Sequence, residues 1–323
     1  MNSIYDFNSL PTEIKNLIIS LTTNKVYDLC LIDQYFNCNC KSIRIVDNYK
    51  YPKIRNSNLK ELTNLKSLNL YNNKMITDEG IKESINLTYL DLHYYNKKIT
   101  DEGIKRLTNL TFISLLDTKI TDEGIKGLTN LTTMRLLQNE FITNKGIKRL
   151  INLTSIDLSF NQRITDKVIK GLTNLTSLNL LNNYRATDEG IKGLIGLRYL
   201  NLCQNQLITN EGIRGLTNLT ELDISRSNLY HNKIITNDGI KGLTNIISLS
   251  LSLNDIITNK GIKGLTNITC LNLYHNDMIT NEGIKGLTKL IELDLTCNDK
   301  ITDKSIKRLT NITSLNKGIC NGH

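Results

Sequence analysis

Histidine and cysteine are the side chains of this chain best suited to metal binding or nucleophilic catalysis, and their spacing supports neither. The four histidines are His93, His231, His275 and His323. None of them belongs to an H-E-x-x-H motif. Cys38 and Cys40, taken with Cys30, lack the usual zinc spacing and a fourth ligand. No G-x-S-x-G, phosphate-binding loop or G-x-G-x-x-G motif occurs. The sequence therefore predicts that the protein is not an enzyme and holds no metal or cofactor.

Aspartate and glutamate recur at a fixed interval, so they belong to a repeat and are weak evidence for a catalytic pair. Each unit opens on a leucine or isoleucine, at Leu65, Leu87, Leu110, Leu131, Leu153, Leu175, Leu197, Leu219, Ile246, Ile268, Leu290 and Ile312. Most steps are 22 residues, and the exceptions are 23, 21 and 27. The pattern L-x-x-L-x-L-x-x-N follows, as in Leu175, Leu178, Leu180 and Asn183. This period and pattern are typical of leucine-rich repeats.

The repeat predicts an α/β solenoid with a curved parallel sheet inside and short helices outside. The L-x-L segment is a short strand whose leucines share one face, and stacked units bury those leucines together. The pattern asparagine points inward and bonds backbone groups that lack ladder partners. In I-T-D-E-G-I-K, Thr121 is the expected helix N-cap, and Ile125 and Leu128 face the core. Glycine and asparagine are expected at turns, where positive φ costs them little.

Four segments follow from this reading. Residues 65–315 hold eleven full repeats and a partial twelfth. Residues 40–64 fit a degenerate first repeat, and residues 316–323 form a short tail. Residues 1–39 do not repeat and require a separate interpretation.

The net charge of +9 comes from one basic residue after the helix isoleucine of each unit. These are Lys82, Lys105, Lys126, Lys148, Lys170, Lys192, Arg214, Lys241, Lys263, Lys285 and Lys307, and without them the net charge would be −2. Such a line attracts nucleic acid or simply solvates the outer face. The sequence favours solvation, because no aromatic residues interleave the lysines as stacking platforms. No apolar run approaches the ~20 residues of a membrane helix, so no membrane partner is expected.

The outward positions of the strands form the predicted binding surface on the concave face. Candidate partner-binding residues are Tyr71, Tyr89, Asp91, His93, Phe112, Arg135, Asp157, Asp223 and Asp294. Exposed aromatic residues often anchor protein interfaces, and Glu221 and Glu292 add acid to this face. We therefore predict a protein segment that is basic or amide-rich as the partner. The alternative is that tyrosines on strands only reflect β-propensity.

An insertion explains the step of 27 residues. It lies around residues 227–234 and includes Tyr230 and His231. It either extends the binding face or is a tolerated loop.

Residues 9–36 predict two or three short amphipathic helices. Pro11 suits a helix start, and Ile14, Ile18 and Leu21 lie on one apolar stripe. The simplest role for these helices is a cap over the first repeat.

The same segment resembles an F-box, the module that docks on the adaptor of cullin–RING ubiquitin ligases. The resemblance lies in L-P-x-E-I at Leu10 to Ile14, then Ile18, Leu21, Val26, Leu29, Ile32 and Phe36. The repeats with I-T-D-E-G-I are similar to those of F-box proteins with leucine-rich repeats. The resemblance assigns adaptor binding to Leu10, Pro11, Ile14, Ile18, Leu21 and Phe36.

This chain departs from that family at several positions. Ile32-Asp33-Gln34 stands where Val-Cys-Lys is usual, and Phe36 replaces a tryptophan. The repeats have asparagine where the family has cysteine, and each unit is a few residues shorter.

The resemblance implies a substrate-recognition subunit of a cullin–RING (SCF-type) ubiquitin ligase, which holds an unknown protein substrate on its concave face. The alternative is a leucine-rich-repeat scaffold without a ligase link, in which the N-terminal helices are only a cap. With no secretory signal at the N-terminus, a cytoplasmic location and reduced cysteines are expected.

Overall fold

The computed structural model describes residues 42–44, 55–71, 73–93, 96–225 and 235–318. The F-box-like segment (residues 1–39), with all six predicted adaptor-binding residues, lies outside these residues. The insertion with Tyr230 and His231 also lies outside them. The chain divides into two compact units, Met1–Leu131 and Thr132–His323.

In the first unit, the described strands and helices alternate. The strands are β1 (Ser42–Arg44), β2 (Ser67–Asn69), β3 (Tyr89–Asp91) and β4 (Phe112–Ser114). The helices are α1 (Asn56–Glu61), α2 (Asp78–Ile81), α3 (Asp101–Ile104) and α4 (Asp122–Ile125). The strands are parallel and pair in chain order, and β1 lies in the range predicted as a degenerate repeat.

The second unit repeats this arrangement. Its described strands are β5 (Thr133–Arg135), β6 (Ser155–Asp157), β7 (Ser177–Asn179), β8 (Tyr199–Asn201), β9 (Glu221–Asp223), β10 (Ser248–Ser250), β11 (Cys270–Asn272), β12 (Glu292–Asp294) and β13 (Ser314–Asn316). Its described helices are α5 (Asn144–Ile147), α6 (Asp166–Ile169), α7 (Asp188–Ile191), α8 (Asn210–Ile213), α9 (Asn237–Ile240), α10 (Asn259–Ile262), α11 (Asn281–Ile284) and α12 (Asp303–Ile306). Neighbouring strands are parallel and pair in chain order.

The core of each unit consists of the leucines and isoleucines that define the repeat. In one coil, Leu175, Leu178 and Leu180 are fully buried, and so is the helix residue Ile191. Strand register places equivalent residues opposite each other, as in Leu178 opposite Leu200. Each coil therefore covers the apolar face of its neighbour. A single coil could not bury its own apolar residues.

The predicted inward asparagines are confirmed. Asn161 Nδ2 donates to the carbonyl oxygens of Leu136 (3.4 Å) and Asn139 (2.9 Å) in the preceding coil. Its Oδ1 accepts from the backbone N–H groups of Arg163 and Ile164 at 2.9 and 3.0 Å. This fully buried amide thus bonds backbone groups where the chain leaves the strand.

The prediction that glycine supplies positive φ at the turns is wrong for the described residues. None of their glycines has positive φ. Residues with positive φ immediately precede the inward position, and they are Asp117, Gln138, Phe160, Asn182, Gln204, Leu253, His275 and Cys297. Only one of the eight is asparagine, so the stack holds ordinary residues in a conformation that they rarely adopt alone.

Within each unit, a polar side chain at the start of one helix bonds the threonine that caps the next helix. Thr121 Oγ1 accepts from the backbone of Glu123 (3.3 Å), which confirms the predicted N-cap. The same threonine donates from N to Asp101 Oδ1 (2.8 Å) and from Oγ1 to Asp101 Oδ2 (2.6 Å). Where asparagine replaces aspartate, as at Asn144, its Nδ2 donates to Thr165 Oγ1 (2.9 Å). The aspartate–threonine and the asparagine–threonine hydrogen bonds both fix the register between adjacent helices.

Seven of the eleven predicted outer bases form an ion pair three residues back on their own helix. The pairs are Lys82–Glu79, Lys105–Glu102, Lys126–Glu123, Lys192–Glu189, Arg214–Glu211, Lys241–Asp238 and Lys285–Glu282. The hydrogen bond with Glu189 raises the pKa of Lys192, and that with Lys241 lowers the pKa of Asp238. These pairs are exposed to solvent, so each contributes little stability.

Candidate binding face

Alternate strand residues point away from the core and form an exposed face on the sheet of each unit, here called the sheet face. Each strand contributes its first and third residues, because side chains alternate along a strand. The residue two positions beyond the strand extends the same face. In the first unit, the third strand residues are Asn69, Asp91 and Ser114 on β2 to β4.

The aromatic residues predicted in the first unit lie together in two pairs. Tyr89 and Phe112, opposite each other on β3 and β4, stack with ring centroids 4.2 Å apart and an interplanar angle of 7°. Tyr71 and His93 lie 5.7 Å apart with a tilt of 44°. All four are only half-buried, so flat aromatic surface remains accessible to a partner.

Asp91 is the most buried of the predicted acidic residues, at 7 % exposure. Its Oδ1 accepts from the backbone N–H of His93 at 3.1 Å, and its Oδ2 accepts from Asn69 Nδ2 at 3.2 Å. This carboxylate therefore holds the backbone at His93 and the side chain of Asn69, and offers little accessible charge to a partner.

Asp91, His93 and Ser114 are the residue types of a catalytic triad, but their geometry differs from one. Ser114 Oγ lies 3.4 Å from His93 Nδ1, and Asp91 Oδ1 lies 3.9 Å from the same nitrogen. A relay requires the nucleophile on one ring nitrogen and the carboxylate on the other. This arrangement therefore cannot activate Ser114 as that mechanism does.

The predicted acidic residues of the second unit have a shared structural role. The third strand residue accepts from the backbone N–H two residues on, as in Ser159 to Asp157 (2.9 Å) and Ser225 to Asp223 (2.9 Å). Asp294 accepts from Thr296 in the same way at 2.8 Å. Asparagine does this on other strands, where Asn179 accepts from Leu181. One carboxylate oxygen of each aspartate thus fixes the turn after the strand.

Other side chains on this face project further into solvent. Arg135, Glu221 and Glu292 are exposed, whereas Asp157, Asp223 and Asp294 are half-buried. Asp223 and Asp294 lie three strands apart, which corresponds to about 14 Å. Within the second unit the structure therefore does not bring the aspartates into one cluster, and Glu221 and Glu292 carry the accessible negative charge.

Tyr199 is a sheet-face residue that the sequence reasoning missed. It is half-buried on β8, opposite Ser177 on one side and Glu221 on the other. Burial raises the pKa of its hydroxyl, against a hydrogen bond with Asn201 that lowers it. The signal was present, because Tyr199 occupies the same place in its repeat as Tyr89.

The cysteines on this face are poor nucleophiles. Burial raises the pKa of the Cys203 thiol to about 11, and burial also raises the pKa of Cys270, whose Sγ lies 3.6 Å from Glu292 Oε2. Thiols with raised pKa values are protonated at neutral pH and react slowly. Cys297 is disulfide-bonded, whereas Cys203 and Cys270 are free thiols.

Among the residues that the structure describes, no three His, Cys, Asp or Glu side chains form a group that could hold a metal ion. No helix in the described part of the chain has the length and apolar character needed to cross a membrane.

The strand register, the buried leucines and the asparagine column define a leucine-rich-repeat fold. A family model described as Leucine Rich repeat matches residues 61–83, 149–167, 242–265, 264–287 and 286–309. The leucine-rich repeats predicted from the sequence are therefore confirmed. The same comparison detects no F-box.

Solved structures share this fold. An internalin (InlF) from Listeria monocytogenes superposes with a TM-score of 0.64 and 24% identity, over 95% of this chain and 88% of that one. A leucine-rich-repeat protein from Leptospira interrogans has a TM-score of 0.56 and 26% identity, over 92% and 88%. A TLR13 chain, solved in complex with ssRNA13, has a TM-score of 0.57 and 26% identity, over 80% of this chain and 44% of that one. Among proteins of curated function, none matches this sequence.

Proposed function

We propose that this protein is a non-catalytic binding protein that holds a segment of another protein on its sheet face. The observation that carries this proposal is the stacked, half-exposed pair Tyr89 and Phe112 on β3 and β4. Rigid aromatic surface is enriched in the centres of protein interfaces, because it buries a large apolar area at low entropic cost. The half-exposed Tyr71 and His93 enlarge this surface in the same unit.

The sheet face of the second unit, taken by itself, indicates the chemistry of a segment that binds there. Glu221 and Glu292 are the exposed acids on its sheet face, and Ser248, Ser250 and Asn272 lie on the strands between them. Acidic and amide side chains are matched by lysine, arginine, asparagine or glutamine. The bound segment is therefore basic or amide-rich.

Reversal of charge on the sheet face tests this surface. The Glu221→Lys/Glu292→Lys variant is expected to weaken partner binding by about tenfold or more, because two acids become like charges for a basic segment. Partner segments are cross-linked to the wild type and identified by mass spectrometry. The amount of one identified segment recovered with the wild type is then compared with the amount recovered with the variant.

A matched control is available on the outer helices of the same unit. Glu211→Lys/Glu282→Lys changes net charge equally, and lysine already occupies this helix position at Lys145. This control should retain wild-type binding. Equal loss in both variants would mean that net charge, and not the sheet face, governs binding.

We further propose that the F-box-like segment, residues 1–39, links this binding face to the adaptor of a cullin–RING ubiquitin ligase. The protein would then act in the cytoplasm as a substrate-recognition subunit. The support is the sequence resemblance at Leu10, Pro11, Ile14, Ile18, Leu21 and Phe36. The alternative is a binding scaffold without a ligase link, in which these helices only cap the repeats.

Co-purification with a eukaryotic cullin–RING adaptor separates these two proposals. The wild type is expected to retain the adaptor through a salt wash, and a Leu10→Ala/Pro11→Ala/Ile14→Asp variant is expected to lose it. Circular dichroism must first show that both chains are equally folded. A folded wild type that does not bind the adaptor would reduce the N-terminal segment to a cap and leave the sheet-face proposal intact.

A further inference from the structure

The ion pairs of the outer helices are interrupted in two consecutive coils of the second unit. Seven of the described helices carry an acid at the second helix residue, whereas the consecutive helices α5 and α6 carry Lys145 and Lys167 there. The bases that end these helices, Lys148 and Lys170, therefore face another lysine instead of a carboxylate, and Arg149 adds a further charge. All five side chains are exposed, and none forms an ion pair with any residue that the structure describes.

The pairing between coils places these charges side by side. Asn144 at the start of α5 accepts from Thr165 N (3.0 Å) and donates to Thr165 Oγ1 (2.9 Å), immediately before α6. Lys145 and Lys167, one residue into their helices, are therefore neighbours on adjacent coils. Like charges at this spacing repel each other, and an anionic ligand would relieve that repulsion.

Aromatic and guanidinium side chains border the lysines at the edge of the same coils. Phe141 is 52 % exposed, two residues before the N-cap of α5, and Tyr184 is 39 % exposed, two coils further on. Arg163 Nε donates to the carbonyl of Glu140 (3.0 Å), and Arg185 Nε donates to that of Gln162 (3.2 Å). These bonds lay each guanidinium across the preceding coil. The edge of these coils therefore carries both aromatic and guanidinium surfaces.

We propose that this surface, defined by Phe141, Lys145, Lys148, Arg149, Arg163, Lys167, Lys170, Tyr184 and Arg185 and here called the basic edge, binds single-stranded nucleic acid. Lysine and arginine side chains neutralise the phosphate backbone, and exposed rings stack on unpaired bases. The sequence alone favoured a solvated line of lysines because it showed no interleaved aromatic residues. In the folded chain, Phe141 precedes α5 and Tyr184 precedes α7, so exposed rings lie on the same run of coils as these charges.

The geometry favours single strands over duplexes. Helices α5 and α6 contain four residues each. Such short helices do not project far enough to enter a major groove, which usually accepts a longer recognition helix. The basic edge therefore contacts backbone and unpaired bases and does not read duplex sequence.

Fluorescence anisotropy with labelled oligouridine and oligothymidine of about 15 nucleotides, a duplex and a polyglutamate peptide tests the proposal. The decisive variant is Lys145→Glu/Lys167→Glu, which restores the acid found at this place in other coils and so suits the fold. Its matched control is Lys260→Glu/Lys304→Glu, which makes the same change on α10 and α12, two helices that are not consecutive. Phe141→Ala tests stacking separately.

The wild type is expected to bind a single strand with a logarithmic salt slope near −3.5, if about five phosphates are neutralised. Affinity should then fall by about a hundredfold between about 50 and 200 mM salt. The decisive variant should weaken binding by about tenfold or more, and the control by less than about threefold. Phe141→Ala should weaken single-strand binding alone.

Three results would overturn the proposal. One is absence of single-strand binding by the wild type at low salt. Another is equal loss of affinity in the decisive and control variants, which would indicate bulk charge. A third is tighter binding of polyglutamate or duplex than of either single strand, which would assign the basic edge to a different partner.

Discussion

Replacing Asn161 with alanine is expected to destabilise the protein by about 3 kcal/mol, because four hydrogen bonds to backbone groups are lost and three of them are buried. The carbonyl oxygens of Leu136 and Asn139 lose a donor, and the N–H groups of Arg163 and Ile164 lose an acceptor. The amide is fully buried, so water cannot replace these bonds without opening the coil. Urea unfolding followed by circular dichroism and tyrosine fluorescence measures the change.

Two further variants show whether hydrogen bonding is the cause. Asn161→Asp keeps the shape and the acceptor but sets a carboxylate against the carbonyls of Leu136 and Asn139. Its pKa should therefore lie above the unfolded value, so the loss of stability should be greatest at neutral pH and shrink as the pH falls and an O–H donor forms. Glu140→Ala, at an exposed residue of the preceding coil, should cost less than about 0.5 kcal/mol. A cost below about 1 kcal/mol for Asn161→Ala would contradict a stabilising asparagine column.

Two glycines of one coil are expected to respond to alanine in opposite directions. At Gly124, an added Cβ would lie 2.5 Å from Asp101 Oδ1 and 3.0 Å from Ile120 Cγ2. That aspartate holds Thr121 through both carboxylate oxygens, so moving it strains the lock between two helices. Gly124→Ala should cost about 2 kcal/mol. At Gly127 nothing lies within 4 Å, so Gly127→Ala should stabilise the protein by up to about 1 kcal/mol through the unfolded state.

Val168, in the wild-type chain, limits how large the destabilisation by Gly124→Ala can be. Val168 occupies the place of Gly124 in α6, and the pairing of Asn144 with Thr165 persists there. A double-mutant cycle with Asp101→Ala identifies the clash, because the combined variant should lose less stability than the sum of the two single changes. Additive losses of stability, or equal effects at Gly124 and Gly127, would show that the contact with Asp101 is not the reason for a glycine at position 124.

The sequence by itself determined the architecture, because the information for it is periodic and local. Apolar residues such as Leu175, Leu178 and Leu180 recur at strand spacing, and one coil cannot bury them. Stacking the coils in register buries these apolar residues in every repeat. The inward asparagines followed from the same logic, since the chain must leave the strand at the same point of each coil.

The candidate surfaces were predicted only in part. The pairs Tyr89–Phe112 and Tyr71–His93 follow from strand alternation and parallel register, so the sequence indicated them. The burial of Asp91 was not visible in the sequence, because an aspartate and an asparagine fit the turn after the strand equally well. The basic edge was also missed, because Lys145 and Lys167 are 22 residues apart in the sequence and become neighbours only when adjacent coils pair.

Only the tertiary structure decided which residue of the preceding coil contacts each recurring position of the repeat. Gly124 matters because Asp101 lies against it, and not because of its backbone freedom. Leu253 and Phe160 take positive φ because the bonds on either side hold the turn, although their own preferences oppose it. These features depend on contacts between residues about twenty apart, where packing against a neighbouring coil outweighs local propensity.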